Sequence, residues 1–156
     1  MDSFFTRPVP GPLGARRGPS VPRRVLVVAV DAVVPEGLAR ADVVVVAPAL
    51  NSRLRRWVSD EDAARRRAHE RLDALVDRLR PVAGRVEGRV GDADPLLAIG
   101  DALATFPADE IVVVARPDAS VGRVEALIAQ ARDRFPVPVD STRGRLAIAA
   151  FATGAE

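Results

Sequence analysis

Runs of apolar residues along the chain predict four strands. Residues 25–30, 43–47 and 111–115 are unbroken apolar runs, and residues 85–90 mix apolar with polar positions. Unbroken runs of this length are typical of strands that are covered on both faces, as in a parallel sheet. The pattern therefore predicts a sheet that contains at least these four strands.

Three longer segments carry apolar residues at the spacing of an amphipathic helix. The first covers residues 60–80, the last covers residues 121–135, and the middle one follows Asp94 and Pro95. Aspartate is a preferred N-cap and proline is favoured in the first helical turn, so this pair predicts where the middle helix begins. The inward positions are Ala64, Ala68, Leu72, Leu75, Val76 and Leu79, then Leu96, Ile99, Gly100, Leu103 and Phe106, then Val124, Leu127, Ile128, Ala131 and Phe135.

The pattern leaves two elements open. About 12 residues separate the first two strands, so residues 35–41 supply at most one or two helical turns. Either the first helix is very short or one face of the sheet is thinly covered there. For the fifth strand we favour residues 146–151, after a turn at residues 142–144, over residues 137–140, which Pro138 interrupts and which could pair as an edge.

Strands and helices alternate, which predicts a three-layer α/β sandwich with a parallel five-stranded sheet. Two doubly wound strand orders fit this alternation. The Rossmann-like order 3-2-1-4-5 places a crevice between strands one and four, and the flavodoxin-like order places it between strands one and three. In both, ligands bind beyond the carboxyl ends of the strands.

The two ends of the chain differ in composition. Residues 1–22 contain 5 of the 13 prolines and have no hydrophobic period, so we expect a disordered tail before a single domain at residues 23–156. Residues 1–24 hold 5 arginines against one aspartate, whereas the rest of the chain is slightly acidic. A basic body for binding nucleic acid is therefore not expected.

Several residue types are missing, and each absence excludes a class of chemistry. There is no cysteine, so disulfides and thiolate metal sites are excluded, which is typical of a cytoplasmic protein. There is no lysine, which excludes a P-loop, a Schiff base and a phospho-receiver site. Neither a membrane-length apolar run nor a secretory signal is present. The single histidine, His69, is expected on a helix surface.

Polar residues follow the predicted strands where ligands of such sheets bind. Asp31 follows strand one, Gly91 and Asp92 follow strand three, and Arg116 follows strand four. In the 3-2-1-4-5 order, Asp31 and Arg116 flank one crevice, where a carboxylate and a guanidinium could hold a ribose or base and a phosphate. The alternatives are that Asp31 only caps a turn, that Arg116 is solvated or paired with Asp118, and that Asp92 only shapes its loop.

Some of these features together resemble the universal stress protein family. They are the element order, the aspartate closing strand one, the Gly-Asp-x-x-Pro loop at residues 91–95 and the Ala-Asp-Glu-Ile-Val-Val-Val segment at residues 108–114. Residues 47–62 (APALNSRLRRWVSDED) and 91–99 (GDADPLLAI) are similar to a short branch of that family from high-GC bacteria. The resemblance implies the Rossmann-like order, homodimers through the last strand and, in one subclass, ATP binding in which an aspartate at the position of Asp31 contacts adenosine.

The sequence departs from that family where the phosphates would bind. The ATP-binding subclass carries a glycine-rich G-x-x-G-x(9)-G-S/T loop after strand four, whereas this chain reads RPDASVGRVEAL and has Gly122 outside that spacing. We therefore expect a non-catalytic, stress-response-like cytoplasmic domain, a ligand sensor or interaction module with a degenerate site for AMP or ATP and no metal. The candidate binding residues are Asp31, Ala32, Gly91, Asp92, Arg116 and Gly122. A structural homodimer without a ligand and a nucleotide-hydrolysing enzyme are the alternatives.

Overall fold

The computed structural model describes residues 21–50, 61–117 and 119–142, so residues 1–20 of the tail predicted at 1–22 lie outside it. These residues form five strands and three helices. In chain order they are β1 (Arg24–Ala29), β2 (Asp42–Pro48), α1 (Glu61–Leu79), β3 (Arg85–Gly91), α2 (Pro95–Thr105), β4 (Glu110–Val114), α3 (Val121–Arg134) and β5 (Val139–Ser141). Each predicted strand or helix that falls within the described residues is confirmed to within a few residues, apart from the two open elements.

The sheet has the order β3-β2-β1-β4-β5, and every neighbouring pair is parallel. The Rossmann-like order is therefore confirmed, and the flavodoxin-like order is wrong. Because β2 and β3 lie on one side of β1 while β4 and β5 lie on the other, the crossovers diverge at β1. A crevice opens between the carboxyl ends of β1 and β4, which is where ligands bind in open sheets of this kind.

Two hydrophobic clusters cover the two faces of the sheet. Alternate residues of the strands point to opposite faces, so Val25 and Val27 join the cluster with α1, and Leu26 and Val28 join the cluster with α2 and α3. All four side chains are fully buried. Burial on both faces explains why the central strands are continuous apolar runs in the sequence.

The connection from β1 to β2 contains no helix, which corrects the expectation of a shortened first helix. Gly37 has a φ of 76° and Arg40 a φ of 59°, and two left-handed residues so close together interrupt helical hydrogen bonding. Leu38 is nevertheless buried and packs in the α1 cluster. An irregular segment with one inserted leucine therefore helps to cover the face that a full helix would otherwise cover.

The strand beside β4 is β5, the shorter of the two candidates. Ile111 pairs with Val139, and its amide donates a hydrogen bond of 2.8 Å to the carbonyl oxygen of Pro138. Pro138 precedes the strand instead of interrupting it, and a proline before a strand removes no donor from the ladder. The favoured segment, residues 146–151, lies outside the described residues.

No helix among the described residues has both the length and the apolar character needed to cross a membrane.

Candidate functional site

Asp31 lies at the junction of β1 and β4. The amides of Val30 and Asp31 both donate a hydrogen bond to the carbonyl oxygen of Val114, and each N···O distance is 3.1 Å. The Asp31 carboxylate in turn accepts a hydrogen bond of 2.8 Å at Oδ2 from the backbone amide of Arg116. These bonds fix the carboxylate across the crevice, and Oδ1 accepts no hydrogen bond from any other described residue.

Thr142 holds the same end of β4 from the other side. Its side chain is only 3% exposed, and Oγ1 both accepts from the Ala115 amide (3.2 Å) and donates to the Ala115 carbonyl oxygen (3.1 Å). One hydroxyl thus satisfies two buried backbone groups just beyond the strand. Sequence reasoning missed this role and placed Thr142 in a turn; a polar residue directly after a strand was the only local signal.

A cavity of about 390 Å³ opens between the end of β1 and the first turns of α2 and α3. Its volume lies at the lower end of the range of about 300–1,000 Å³ that is typical of small-molecule sites. Among the described residues that line it, Asp31 and Arg123 are charged and Ser120 contributes a hydroxyl. The other lining residues are apolar: Val30, Leu50, Pro95, Ala119, Val124 and Leu127.

Arg123 is the cationic residue among the described residues that line this cavity, and sequence reasoning missed it. It lies in the first turn of α3, and its side chain makes no ion pair or hydrogen bond with the described residues. The amino end of a helix carries partial positive charge, which disfavours a cation there. An arginine in the first turn, with no acidic residue beside it, was the sequence signal that could have identified this position.

Arg71 brings a second cation near Asp31 from the α1 side. Its Nη2 donates a hydrogen bond of 2.7 Å to the carbonyl oxygen of Pro48 at the end of β2, and its Nε is buried without a partner. Burial lowers the pKa of Arg71, while the Asp31 carboxylate opposes this and neighbouring Arg67 adds to it. Arg71 therefore ties α1 to the carboxyl edge of the sheet, within electrostatic reach of Asp31.

Gly91 and Asp92 lie away from this crevice, where β3 ends. Asp92 Oδ1 accepts from the Asp94 amide (2.8 Å), and Asp94 Oδ1 accepts from the Leu96 amide (2.9 Å), which confirms Asp94 as the N-cap of α2. A Cβ added to Gly91 would lie 2.6 Å from the Cβ of Ala98, so α2 packs directly on this glycine.

Two further cavities, of about 470 and 300 Å³, have Gly91 and Asp92 in their walls. Arg65 of α1 borders both of them, and His69 borders the larger, where its side chain is exposed as the sequence predicted. The fold therefore divides the predicted binding residues between the β1–β4 crevice and the open edge at β3.

The remaining candidates contribute to the β1–β4 crevice less directly. Arg116 offers its backbone amide to Asp31, while its exposed side chain is not among those lining the cavity. The carbonyl oxygen of Ala32 accepts a long hydrogen bond of 3.4 Å from Arg78 of α1.

Gly122 is exposed beside Arg123, with nothing within 4 Å of an added Cβ. The proposed pairing partner of Arg116, Asp118, lies outside the described residues.

Within the described ranges, no three histidine, aspartate or glutamate side chains are grouped as a metal site would require.

Comparison of the chain with models of known protein families and with curated proteins finds no match in either case. The resemblance to the universal stress protein family therefore stays a prediction.

Proposed function

We propose that this protein is a non-catalytic ligand-binding module that binds an adenine nucleotide in the crevice between β1 and β4. The observation that carries the proposal is the placement of Asp31. Its carboxylate is held at the point where the strand order reverses, and it borders an apolar cavity large enough for a small molecule. A homodimer and a role in stress responses, which the family resemblance implies, are part of the same proposal.

The lining of the cavity suits a nucleoside. The walls formed by Val30, Leu50 and Leu127 offer apolar contact to a planar base. Oδ1 of Asp31 has acceptor capacity for a ribose hydroxyl or a base amino group, because only Oδ2 is used by the Arg116 amide. A charge-assisted hydrogen bond of this kind gives both affinity and orientation.

The same lining supports binding without a chemical step. Among the described residues that border the cavity, Ser120 is the one that bears a hydroxyl, and none of them is a histidine that could act as its base. Nucleophilic catalysis by serine needs a base within hydrogen-bonding distance of the hydroxyl. The residues at this site can therefore bind and orient a ligand, which is the activity proposed.

The test is a calorimetric titration of AMP, ADP and ATP into the wild-type protein and two matched variants. Asp31→Asn keeps an oxygen for the Arg116 amide but removes the charge, so affinity should fall about tenfold while the thermal midpoint stays nearly constant. Asp92→Asn is the control, because Asp92 also accepts a backbone amide at the carboxyl edge but borders other cavities. The affinity of the Asp92→Asn variant for each nucleotide should stay within about twofold of the wild-type affinity.

Two results would contradict the proposal. One is the absence of binding of all three nucleotides to wild-type protein at millimolar concentration. The other is an unchanged affinity in Asp31→Asn, which would move the site away from this crevice.

A further inference from the structure

The charges that border the β1–β4 cavity limit the ligand it can accept. Among the described residues that line it, the charged ones are Arg123 of α3 and Asp31, which follows β1, one of each sign. A ligand with an anionic group at one end and hydrogen-bond donors at the other would satisfy both. Each further negative charge would find no second cation among the described lining residues and would be repelled by the Asp31 carboxylate.

Arg123 lies where a cation is unfavourable unless an anion joins it. It shares the first turn of α3 with Val121 and Gly122, so the turn holds no acidic residue to balance its charge. The Ser120 side chain does not cap this helix either. Both the guanidinium and the partial positive charge of the helix end would therefore gain from one bound anion.

The volume of the cavity also favours a ligand with a single anionic group. At about 390 Å³, the cavity lies near the small end of ligand sites, and six of its lining residues are apolar. The apolar part of a ligand would occupy most of that space. One compact anionic group next to Arg123 fits this division, whereas a chain of three phosphates would extend past Arg123, the cation among the described lining residues.

We propose that Arg123 makes this crevice selective for a nucleoside monophosphate over both the uncharged nucleoside and the triphosphate. This inference rests on the proposed function, since it names the ligand class of the same site. The guanidinium donates two hydrogen bonds to one phosphate, and Asp31 accepts from the nucleoside.

The experiment compares adenosine, AMP and ATP in calorimetric titrations of wild type, Arg123→Gln and Arg134→Gln. Arg134 is the matched control, because it lies in the last turn of the same helix and does not border the cavity. Wild type and Arg134→Gln should bind AMP about tenfold more tightly than adenosine and more tightly than ATP. Arg123→Gln should lose the preference for AMP and keep its affinity for adenosine.

Salt provides an independent readout. Raising the ionic strength from about 0.05 to about 0.5 M should weaken AMP binding and leave adenosine binding nearly constant in wild type, because only the phosphate contact is screened. In Arg123→Gln the two ligands should show the same weak dependence on salt.

The possible failures are distinguishable. If wild type binds adenosine but prefers ATP, or if Arg123→Gln keeps the preference for AMP, the monophosphate inference is overturned while the nucleotide site stands. If wild type binds none of the three ligands, the proposed function fails, and this inference fails with it.

Discussion

At the scale of single residues, the end of β4 depends on two side chains that are distant in sequence. Asp31 binds the amide of Arg116, and Thr142 binds both backbone groups of Ala115. The backbone groups that they bind belong to consecutive residues, Ala115 and Arg116, just after β4, where the hydrogen bonds between strands end. The crevice therefore has a fixed wall because side chains replace the missing ladder partners.

We expect Thr142→Val to destabilise the protein by about 2 kcal/mol, because the isosteric change leaves the Ala115 amide and carbonyl buried without partners. Urea unfolding followed by circular dichroism measures this. Thr105→Val is the matched control, because Thr105 is exposed at the end of α2, its bond with Arg89 is exposed and its bond to the Ala102 carbonyl oxygen is only partly buried. The control should change stability by less than about 0.5 kcal/mol. Equal effects of the two substitutions would show that the buried bonds of Thr142 contribute nothing specific.

At the scale of elements, α2 and α3 both begin at the crevice but begin differently. Asp94 caps α2 through the amide of Leu96, and Pro95 follows it in the first turn. Ser120 occupies the N-cap of α3, yet its side chain makes no capping bond. The N-cap side chain therefore stabilises the first turn of α3 less than that of α2. The amino end of α3 also lies beside the cavity.

This difference predicts unequal costs for two similar substitutions. Asp94→Ala should lower the free energy of unfolding by about 1 kcal/mol, since it removes the hydrogen bond to Leu96. Ser120→Ala should change it by less than about 0.3 kcal/mol, because the side chain caps nothing in the free protein. Thermal unfolding of the two variants beside wild type is the measurement. A cost for Ser120→Ala as large as that for Asp94→Ala would contradict the assigned caps.

At the scale of the whole molecule, one sheet joins two separate hydrophobic clusters. The cluster with α1 contains Leu75, and the cluster with α2 and α3 contains Ile99; both side chains are fully buried. The ion pairs among the described residues involve partly or fully exposed side chains, such as Arg80 with Asp77, and contribute little stability. Stability therefore depends on filling both faces of the sheet.

We expect Leu75→Ala and Ile99→Ala each to destabilise the protein by about 2–5 kcal/mol and to keep a single unfolding transition. Leu97→Ala is the control on the same helix as Ile99, because Leu97 is 44% exposed and should lose less than about 1 kcal/mol. Calorimetry reports both midpoint and cooperativity. Two resolved transitions in either buried variant would mean that the two faces fold independently.

The sequence by itself determined most of the elements and one cap. The apolar runs of β1, β2 and β4, the periods of α1, α2 and α3, and the N-cap at Asp94 are local signals, because burial on both faces and helical spacing act over a few residues. The tertiary structure alone decided the strand order, since the same alternation of elements fits both doubly wound orders. It also decided that the β1–β2 connection has no helix and that β5 follows Pro138.

The candidate site divides in the same way. Asp31 could be found from the sequence because a polar residue at the carboxyl end of a central strand is a local feature. Its neighbours could not be found, because Arg71, Arg123 and Thr142 come from two helices and the end of the last strand. The Asp31–Arg116 and Thr142–Ala115 bonds join residues 85 and 27 positions apart. Such contacts arise only when the order of strands places their elements at one edge of the sheet.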